Sequence, residues 1–292
     1  MDWLEGLEHI VRADEPLAPY TWLRIGGAAQ YFAEPTTLDE LRLLVARCRE
    51  AQLPVRVLGG GSNLLVRDEG VAGVVVSLAA PAFAHIVVDG ELVRAGAGAR
   101  LNHVVTSSIR EGLGGLESFA GIPGTVGGAI ATGVESHGTG LAQWTHAITA
   151  VQPDGSLQVM LRKEWEETHQ RSLLDSAVIS EVAFQLERGD CRQLTQRMQQ
   201  AWIVRRTSLP PAGLCTARMF SHPTWTTASA LIEQAGLRGT RVGNVELSDR
   251  DPNYLVAHPG ATSREAIQLM ELVQATVREK LGVELERALR VW

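Results

Sequence analysis

Residues 58–65 read Leu-Gly-Gly-Gly-Ser-Asn-Leu-Leu, and residues 121–130 read Gly-Ile-Pro-Gly-Thr-Val-Gly-Gly-Ala-Ile. Each segment places a glycine-lined main chain directly beside an apolar run. Because glycine has no Cβ and readily adopts positive φ, a ligand can approach such a main chain closely, and its N–H groups can converge on an anion. Two loops of this kind favour a ligand with a long, phosphate-bearing body, and a dinucleotide cofactor fits that description.

The pattern around these loops argues against one common mode of dinucleotide binding. Neither loop is a Gly-x-Gly-x-x-Gly segment that opens a helix, and residues 96–101, Gly-Ala-Gly-Ala-Arg-Leu, lack the third glycine. A nucleotide would therefore not be bound in the Rossmann manner. A plain tight turn is the alternative interpretation of residues 59–63.

Composition narrows the classes of protein and partner. The chain has 292 residues, 45% of them hydrophobic, with a formal net charge of −6 at pH 7. This balance is typical of a globular protein long enough for two domains, and it argues against nucleic acid as a partner. The three cysteines are widely spaced, the eight histidines show no paired metal-ligand spacing, and no apolar run approaches the ~20 residues that span a bilayer. We expect a cytoplasmic protein with no metal site and no membrane insertion.

Hydrophobic periodicity predicts an α+β chain. A capping pair, Thr37 with Glu40, begins a predicted helix over residues 37–52, and Thr262 with Glu265 begins another that ends near Lys280. Other predicted helices cover 101–111, 191–206 and 227–234. Predicted strands cover 55–58, 74–76, 178–186, 254–256 and 283–289, and predicted hairpins join 86–88 to 92–95 and 147–151 to 157–161. We place a domain boundary near residue 190.

Several segments carry a resemblance to a known family. Residues 21–27, 58–65, 95–98 and 112–130 resemble, in order and spacing, the flavin domain of the UDP-N-acetylenolpyruvoylglucosamine reductase (MurB) family. Residues 235–239, 253–256 and 282–286 resemble its substrate domain. The resemblance implies an α+β fold: an FAD-binding domain of the vanillyl-alcohol-oxidase-like (PCMH-type) class over residues 1–190, with two subdomains, and a smaller substrate-binding domain over 191–292.

The same resemblance implies a flavoprotein oxidoreductase of peptidoglycan synthesis. It implies FAD as cofactor, NADPH as co-substrate, and reduction of UDP-N-acetylglucosamine enolpyruvate to UDP-N-acetylmuramate. In such an enzyme the cofactor carries the redox chemistry, while the protein supplies position, charge and a proton. The flavin contacts that the resemblance implies are Arg24, Gly59, Gly60, Gly61, Ser62, Asn63, Gly121, Ile122, Thr125 and Gly127.

The chain departs from the family at the positions that carry its chemistry. The family motifs are Tyr-Arg-x-Ser, Ala-Gly-Ser-x-Phe, whose serine donates the proton, and Leu-Glu-x-Glu-Val, whose second glutamate is catalytic. Aligned by spacing, Gln170 stands at the arginine, Arg218 at the serine and Ala288 at the glutamate. Gly133 also replaces the asparagine that follows the second glycine loop.

Three residues are the expected stand-ins for these losses, namely Arg171, Arg218 and Glu286. An arginine does not donate a proton at neutral pH, because its pKa exceeds about 12, but it can hold a carboxylate through two hydrogen bonds. In a strand over 283–289, Glu286 would share a face with Ala288 at roughly 6–7 Å, too far for direct replacement.

The proton donor is left open by the sequence. Cys215, Ser221 and His222 are candidates, each with a purely structural alternative. Losing a general acid typically lowers a rate by about 10²–10⁴-fold. Two hypotheses follow: a reductase with a rearranged active site, and a catalytically impaired pseudoenzyme that keeps affinity for FAD or the UDP-sugar. A third alternative is an oxidase or dehydrogenase that acts on another substrate, which nothing in the sequence names.

Overall fold

A computed structural model describes residues 2–136, 138–167, 177–211 and 213–292. The chain divides into two compact units, and neither is continuous in sequence. Unit 1 comprises Met1–Ala13, Tyr31–Gly60 and Ala72–Arg206; unit 2 comprises Asp14–Gln30, Gly61–Val71 and Thr207–Trp292. The chain therefore passes from unit 1 to unit 2 inside the first glycine loop, between Gly60 and Gly61. The boundary near residue 190 stays a prediction.

Five of the seven α-helices of the described residues lie where helices were predicted, and the helices over 126–131 and 162–167 were not predicted. They are α1 (Leu38–Glu50), α2 (Leu101–Arg110), α3 (Val126–Ala131), α4 (Arg162–Glu167), α5 (Cys191–Ser208), α6 (Ala228–Gln234) and α7 (Ser263–Leu281). Both predicted capping boxes are present, at Thr37 with Glu40 and at Thr262 with Glu265. These caps fix where α1 and α7 begin, because each satisfies main-chain N–H groups that a helix start leaves without partners.

The strands are short, and most of them pair antiparallel. They are β1 (Val11–Pro16), β2 (Ala28–Ala33), β3 (Val55–Leu58), β4 (Leu64–Leu65), β5 (Val71–Ser77), β6 (Ile86–Asp89), β7 (Leu92–Gly96), β8 (Leu113–Gly114), β9 (Glu135–Ser136), β10 (Thr139–Gly140), β11 (Thr145–Val151), β12 (Leu157–Leu161), β13 (Val178–Gln185), β14 (Glu187–Arg188), β15 (Cys215–Arg218), β16 (Arg241–Val242), β17 (Val245–Leu247), β18 (Tyr254–Ala257) and β19 (Arg290–Val291). Both predicted hairpins, β6–β7 and β11–β12, are confirmed.

Unit 1 is built on a five-stranded sheet ordered β12-β11-β13-β7-β6. In addition, β3 and β5 pair in parallel, from Val55–Val74 to Leu58–Ser77, and this pairing places the first glycine loop directly after a strand. Helices α1 and α2 contribute apolar faces to the core of this unit. Cys48 lies in that core, and burial raises the pKa of its thiol to about 12, so it is not a reactive thiol at neutral pH.

Unit 2 has a four-stranded antiparallel sheet ordered β15-β18-β17-β16. Its core contains buried residues of α7, among them Leu269, Met270 and Val273, together with residues of α6 and of the sheet. The chain end joins the first glycine loop here, because β19 pairs in parallel with β4, Arg290 with Leu64 and Val291 with Leu65. Sequence positions near 64 and near 290 therefore become neighbours.

The predicted strand over 283–289 is wrong. Residues 282–286 have no regular secondary structure, and Arg287 forms a single bridge with Phe220. The alternating apolar and acidic residues over 283–286 are typical of a strand, but this segment forms no continuous ladder with a partner strand. Instead, the Gln274 side chain donates to the Leu285 carbonyl at 2.7 Å, and the N–H groups of Ala288 and Leu289 both donate to the Met219 carbonyl.

Within the described residues, no helix combines the length and the apolar character needed to cross a bilayer. Nor do those residues bring together three or more His, Cys, Asp or Glu side chains that could hold a metal ion.

The start of α1 supports a prediction about acid stability. Glu40 accepts hydrogen bonds from the N–H groups of Thr36 and Thr37, and its other oxygen lies 3.0 Å from Nε2 of His9. The Thr36 N–H and then His9 are the main causes that lower the pKa of Glu40 to about 2. A carboxyl whose pKa is lowered on folding stabilises the fold above its unfolded pKa, near 4.5, and this stability is lost as the pH falls towards 2.

We therefore expect Glu40→Gln to lower the free energy of unfolding at pH 7 and to reduce its fall between pH 4.5 and 2. Urea unfolding at a series of pH values measures both effects. Glu50→Gln, on the same helix, is the matched control and should keep the acid sensitivity of the parent protein. An unchanged pH profile in Glu40→Gln would show that these hydrogen bonds do not stabilise the ionised carboxylate.

Candidate active site

The two glycine loops lie against each other within unit 1. A Cβ built on Gly60 would approach Cα of Gly124 to 2.8 Å, and one on Gly59 would approach Oγ1 of Thr125 to 2.8 Å. A side chain at Gly60 would therefore have to displace the main chain at Gly124, and one at Gly59 would have to displace the Thr125 hydroxyl. The structure thus brings Gly59 and Gly60 together with Gly124 and Thr125, some sixty residues further along the chain.

The first loop carries main-chain donors that the protein does not use. In the described part of the chain, the N–H groups of Gly59, Gly60, Gly61 and Asn63 donate to no protein acceptor. Main-chain N–H groups without partners are uncommon, and consecutive ones in a turn are suited to binding an anion. This segment of the predicted flavin site therefore fits a phosphate-bearing cofactor.

The second loop differs, because protein acceptors occupy most of its donors. The N–H of Gly121 donates to Oδ1 of Asn102 at 2.8 Å, that of Ile122 to the Phe119 carbonyl and that of Gly127 to the Ala97 carbonyl. The Thr125 side chain accepts the N–H of Gly128 and so caps α3. If Gly121, Ile122 and Gly127 contact FAD as predicted, the contact is close packing rather than donation by these N–H groups.

Arg24 has an unusual main-chain conformation, with φ +55°. Its N–H donates to the Thr21 carbonyl, its guanidinium donates to the Pro19 carbonyl at 2.9 Å, and its side chain is exposed. The following Gly26 is needed for packing, because a Cβ there would lie 2.5 Å from Cβ of Val66. A contact of Arg24 with FAD stays a prediction.

Asn63 connects the first loop to two of the positions at which the chain departs from the family. Its Oδ1 accepts the main-chain N–H of Arg218 at 3.0 Å, and its Nδ2 donates to the Ala288 carbonyl at 3.0 Å. Its own carbonyl accepts the N–H of Arg290. All of these residues belong to unit 2, so the structure brings positions 63, 218 and 288 into one cluster.

A second asparagine fixes the next part of this segment. Asn253 is fully buried, and its side chain both accepts the N–H of Phe220 and donates to the Phe220 carbonyl. Its main-chain carbonyl accepts the N–H of Met219. The main chain over 218–220 is therefore held by two asparagines and by residues 288 and 289. Asn253 was missed in the sequence, although the Asn253-Tyr254-Leu255-Val256 segment was part of the resemblance, because a fully buried asparagine leaves no periodic signal.

The main chain of Arg218 is held by a hydrogen bond to Asn63, whereas its side chain has no such partner within the described residues. Arg218 is half-buried, and within the described residues its guanidinium makes no hydrogen bond and no ion pair. The residue ends β15, which places it next to segment 219–222 and opposite Tyr254 in the sheet. A cation without a protein partner, carried by a half-buried residue, is suited to binding an anionic ligand group.

His222 lies close enough to Arg218 to be affected by its charge. Burial and then the positive charge of Arg218 lower the pKa of His222, against a weaker opposite effect of Asp251. The N–H of Ala228 donates to Nδ1 of His222 at 3.1 Å, so a neutral imidazole carries its proton on Nε2. His222 therefore supports the start of α6 and holds a proton on its other nitrogen.

The structure describes some of the remaining predicted site residues and not others. Ser221 donates its main-chain N–H to the Glu286 carbonyl at 2.9 Å, so these two lie together, whereas Cys215 lies at the start of β15. The strand argument that related Glu286 to Ala288 is wrong, because residues 282–286 form no strand. Arg171 and Gln170 lie outside the described residues.

Comparisons with known proteins find relatives over nearly the whole chain. Residues 29–160 match the FAD binding domain family, and residues 211–292 match the C-terminal domain of UDP-N-acetylenolpyruvoylglucosamine reductase. The reductase of Rhodopirellula baltica is 39% identical over 288 residues, which cover 99% of this chain and 94% of that protein. The reductase of Bacillus subtilis is 32% identical over 284 residues, covering 96% of this chain and 93% of that protein.

Among solved structures, UDP-N-acetylenolpyruvylglucosamine reductase (MurB) from Thermus caldophilus superposes with a TM-score of 0.81 at 30% identity, covering 97% of this chain and 99% of that one. These matches confirm the predicted α+β fold, with an FAD-binding domain and a MurB-like C-terminal domain. The chain belongs to the UDP-N-acetylenolpyruvoylglucosamine reductase (MurB) family.

Proposed function

We propose that this protein is an FAD-dependent oxidoreductase that reduces UDP-N-acetylglucosamine enolpyruvate to UDP-N-acetylmuramate with NADPH, in peptidoglycan precursor synthesis. The observation that carries the proposal is the first glycine loop, whose N–H groups at Gly59, Gly60, Gly61 and Asn63 have no protein acceptor within the described residues. The near full-length similarity to named reductases supports the substrate class.

The chain's own residues would hold the cofactor mainly through the main chain. The N–H groups of Gly59, Gly60, Gly61 and Asn63 suit the diphosphate of FAD, and the second loop provides a close surface at Gly121, Ile122, Thr125 and Gly127. Contacts of Ser62 and Arg24 with FAD remain part of the proposal. When bound, FAD supplies the transfer of hydride between NADPH and the substrate.

The substrate's carboxylate is assigned to Arg218. This half-buried residue has a guanidinium with no partner among the described residues, and an arginine can bind a carboxylate through two parallel hydrogen bonds. The proton that completes the reduction cannot come from Arg218. Cys215, Ser221 and His222 remain the proposed candidates for its donor, and His222 would first have to give up the Ala228 N–H and take a second proton, because a neutral imidazole does not release its Nε2 proton. Arg171 and Glu286 remain proposed helpers without an assigned step.

A specific observation also supports a second candidate function. Arg218 and Ala288 replace the family's serine and glutamate, and the structure places both in one cluster around Asn63. A MurB-like pseudoenzyme that binds FAD or the UDP-sugar without turnover is consistent with that cluster. In either case we propose a cytoplasmic location, because Cys48, Cys191 and Cys215 are all free thiols.

One set of measurements separates the candidates. We expect the purified protein to show a bound-flavin spectrum and to oxidise NADPH faster when UDP-N-acetylglucosamine enolpyruvate is added. A yellow protein without substrate-dependent turnover would support the pseudoenzyme, and the triple variant Gln170→Arg, Arg218→Ser and Ala288→Glu should then gain turnover. A protein that stays colourless after incubation with FAD would overturn both candidates.

A further inference from the structure

Asn63 stands at the centre of the cluster that contains the replaced residues. Its carboxamide makes two hydrogen bonds of 3.0 Å, one to the N–H of Arg218 and one to the carbonyl of Ala288. These residues are 155 and 225 positions away in sequence. One side chain thus joins the glycine loop to two distant segments, and it does so through their main chains, whatever side chains they carry.

The main chain of Asn63 is itself held in place. Its carbonyl accepts the N–H of Arg290 at 3.2 Å, and the next residues form the parallel pair of β4 with β19. The carboxamide therefore projects from a fixed point. Its remaining side-chain hydrogen and lone pair are the groups that it can still offer to a ligand, because the other two are occupied.

The main chain of Arg218 depends on this contact. On the residues that follow, Asn253 binds Met219 and Phe220, but the donor at Arg218 itself is satisfied by Asn63. Removing the carboxamide leaves that N–H without its acceptor at a partly buried position, which is costly. The main chain from which the guanidinium projects would then shift or loosen, while the guanidinium itself has no other partner to hold it within the described residues.

We propose that Asn63 is a positioning residue for Arg218: its carboxamide fixes the main chain at positions 218 and 288, so that the guanidinium meets the carboxylate of the enolpyruvyl group. This inference rests on the proposed function, which assigns that carboxylate to Arg218. It gives Asn63 a role in substrate binding that is separate from the flavin contact predicted for the loop.

A double-mutant cycle of Asn63→Ala and Arg218→Ala tests the proposal. The flavin-loaded protein and each variant are titrated by calorimetry with UDP-N-acetylglucosamine enolpyruvate and, separately, with UDP-N-acetylglucosamine, which lacks the carboxylate. We expect Asn63→Ala to weaken binding of the enolpyruvyl sugar by about tenfold, in line with the loss of one or two partly buried hydrogen bonds. We expect it to have no further effect when Arg218 is already alanine, and none on UDP-N-acetylglucosamine.

The controls separate positioning from folding. Asn244→Ala, in the same unit, should leave binding of both sugars unchanged. Flavin content and thermal unfolding are measured for every variant, and Asn63→Ser, whose hydroxyl can still accept a hydrogen bond, replaces Asn63→Ala in the cycle if the alanine variant does not fold. Equal losses for both sugars, or losses that add independently of Arg218, would overturn the positioning role. A parent protein that binds neither sugar would instead contradict the proposed function.

Discussion

Replacing Arg218 with alanine is expected to weaken binding of UDP-N-acetylglucosamine enolpyruvate by about 10- to 150-fold, the range that corresponds to hydrogen bonds made with a charged group. The physical reason is that the guanidinium of this half-buried residue has no partner within the described residues and so is available to a carboxylate. UDP-N-acetylglucosamine should bind the variant as it binds the parent. Calorimetric titration of both sugars measures the difference.

Two further variants define what Arg218 contributes. Arg218→Lys keeps the charge but loses the planar pair of donors, so its affinity should lie between those of the parent and the alanine variant. Arg264→Ala removes an exposed arginine of the same unit and should change nothing. If Arg218→Ala weakens both sugars equally, the guanidinium contacts a group that they share, such as the diphosphate, and its assignment to the carboxylate is wrong.

Local signals predicted most of the fold. The capping boxes at Thr37 and Thr262 gave the starts of α1 and α7, and the Asp-Gly turns at 89–90 and 154–155 gave both hairpins. These signals act over a few residues, because a cap or a tight turn depends on chain geometry within one helical turn or one loop. Such features can be recognised without knowing what packs against them.

The site could be predicted only in part, because its decisive contacts join distant residues. The two glycine loops were found from sequence, and the structure brings their glycines into contact. The hydrogen bonds that Asn63 makes to residues 155 and 225 positions away have no local signature, and neither has the fully buried Asn253. The failed strand over 283–289 has the same origin: its alternating pattern was correct for a strand, but its partner segment offers only isolated hydrogen bonds.

The main-chain hydrogen bonds of this cluster do not depend on which side chains stand at positions 218 and 288, whereas the chemistry of the site does. Asn63 binds the N–H of Arg218 and the carbonyl of Ala288, groups that serine and glutamate also possess. The scaffold can therefore carry either set of side chains at these two positions. The triple variant Gln170→Arg, Arg218→Ser and Ala288→Glu is informative for this reason. A gain of turnover would show that the natural replacements altered the catalytic side chains and left the supporting hydrogen bonds intact.

Gly61→Ala is expected to abolish retention of FAD and to destabilise the protein strongly. Gly61 has φ +60°, and a Cβ there would lie 2.1 Å from the Tyr20 carbonyl oxygen, a main-chain atom that cannot move aside without shifting the segment around it. The Trp22 N–H also donates to the Gly61 carbonyl. In Gly61→Ala the main chain of the loop must therefore shift at the point where its N–H groups have no protein acceptor within the described residues.

Gly90→Ala is the matched control for this substitution. Gly90 has φ +64°, almost the same conformation, but a Cβ there would meet nothing within 4 Å. Both variants incur the cost of a left-handed alanine, roughly 1–2 kcal/mol, and only Gly61→Ala adds the collision. Flavin-to-protein ratios after dialysis and urea unfolding measure the two effects, and we expect full flavin content in Gly90→Ala. If Gly61→Ala retained flavin as well as Gly90→Ala does, the first glycine loop would not be the cofactor's binding segment, and its N–H groups would need another explanation.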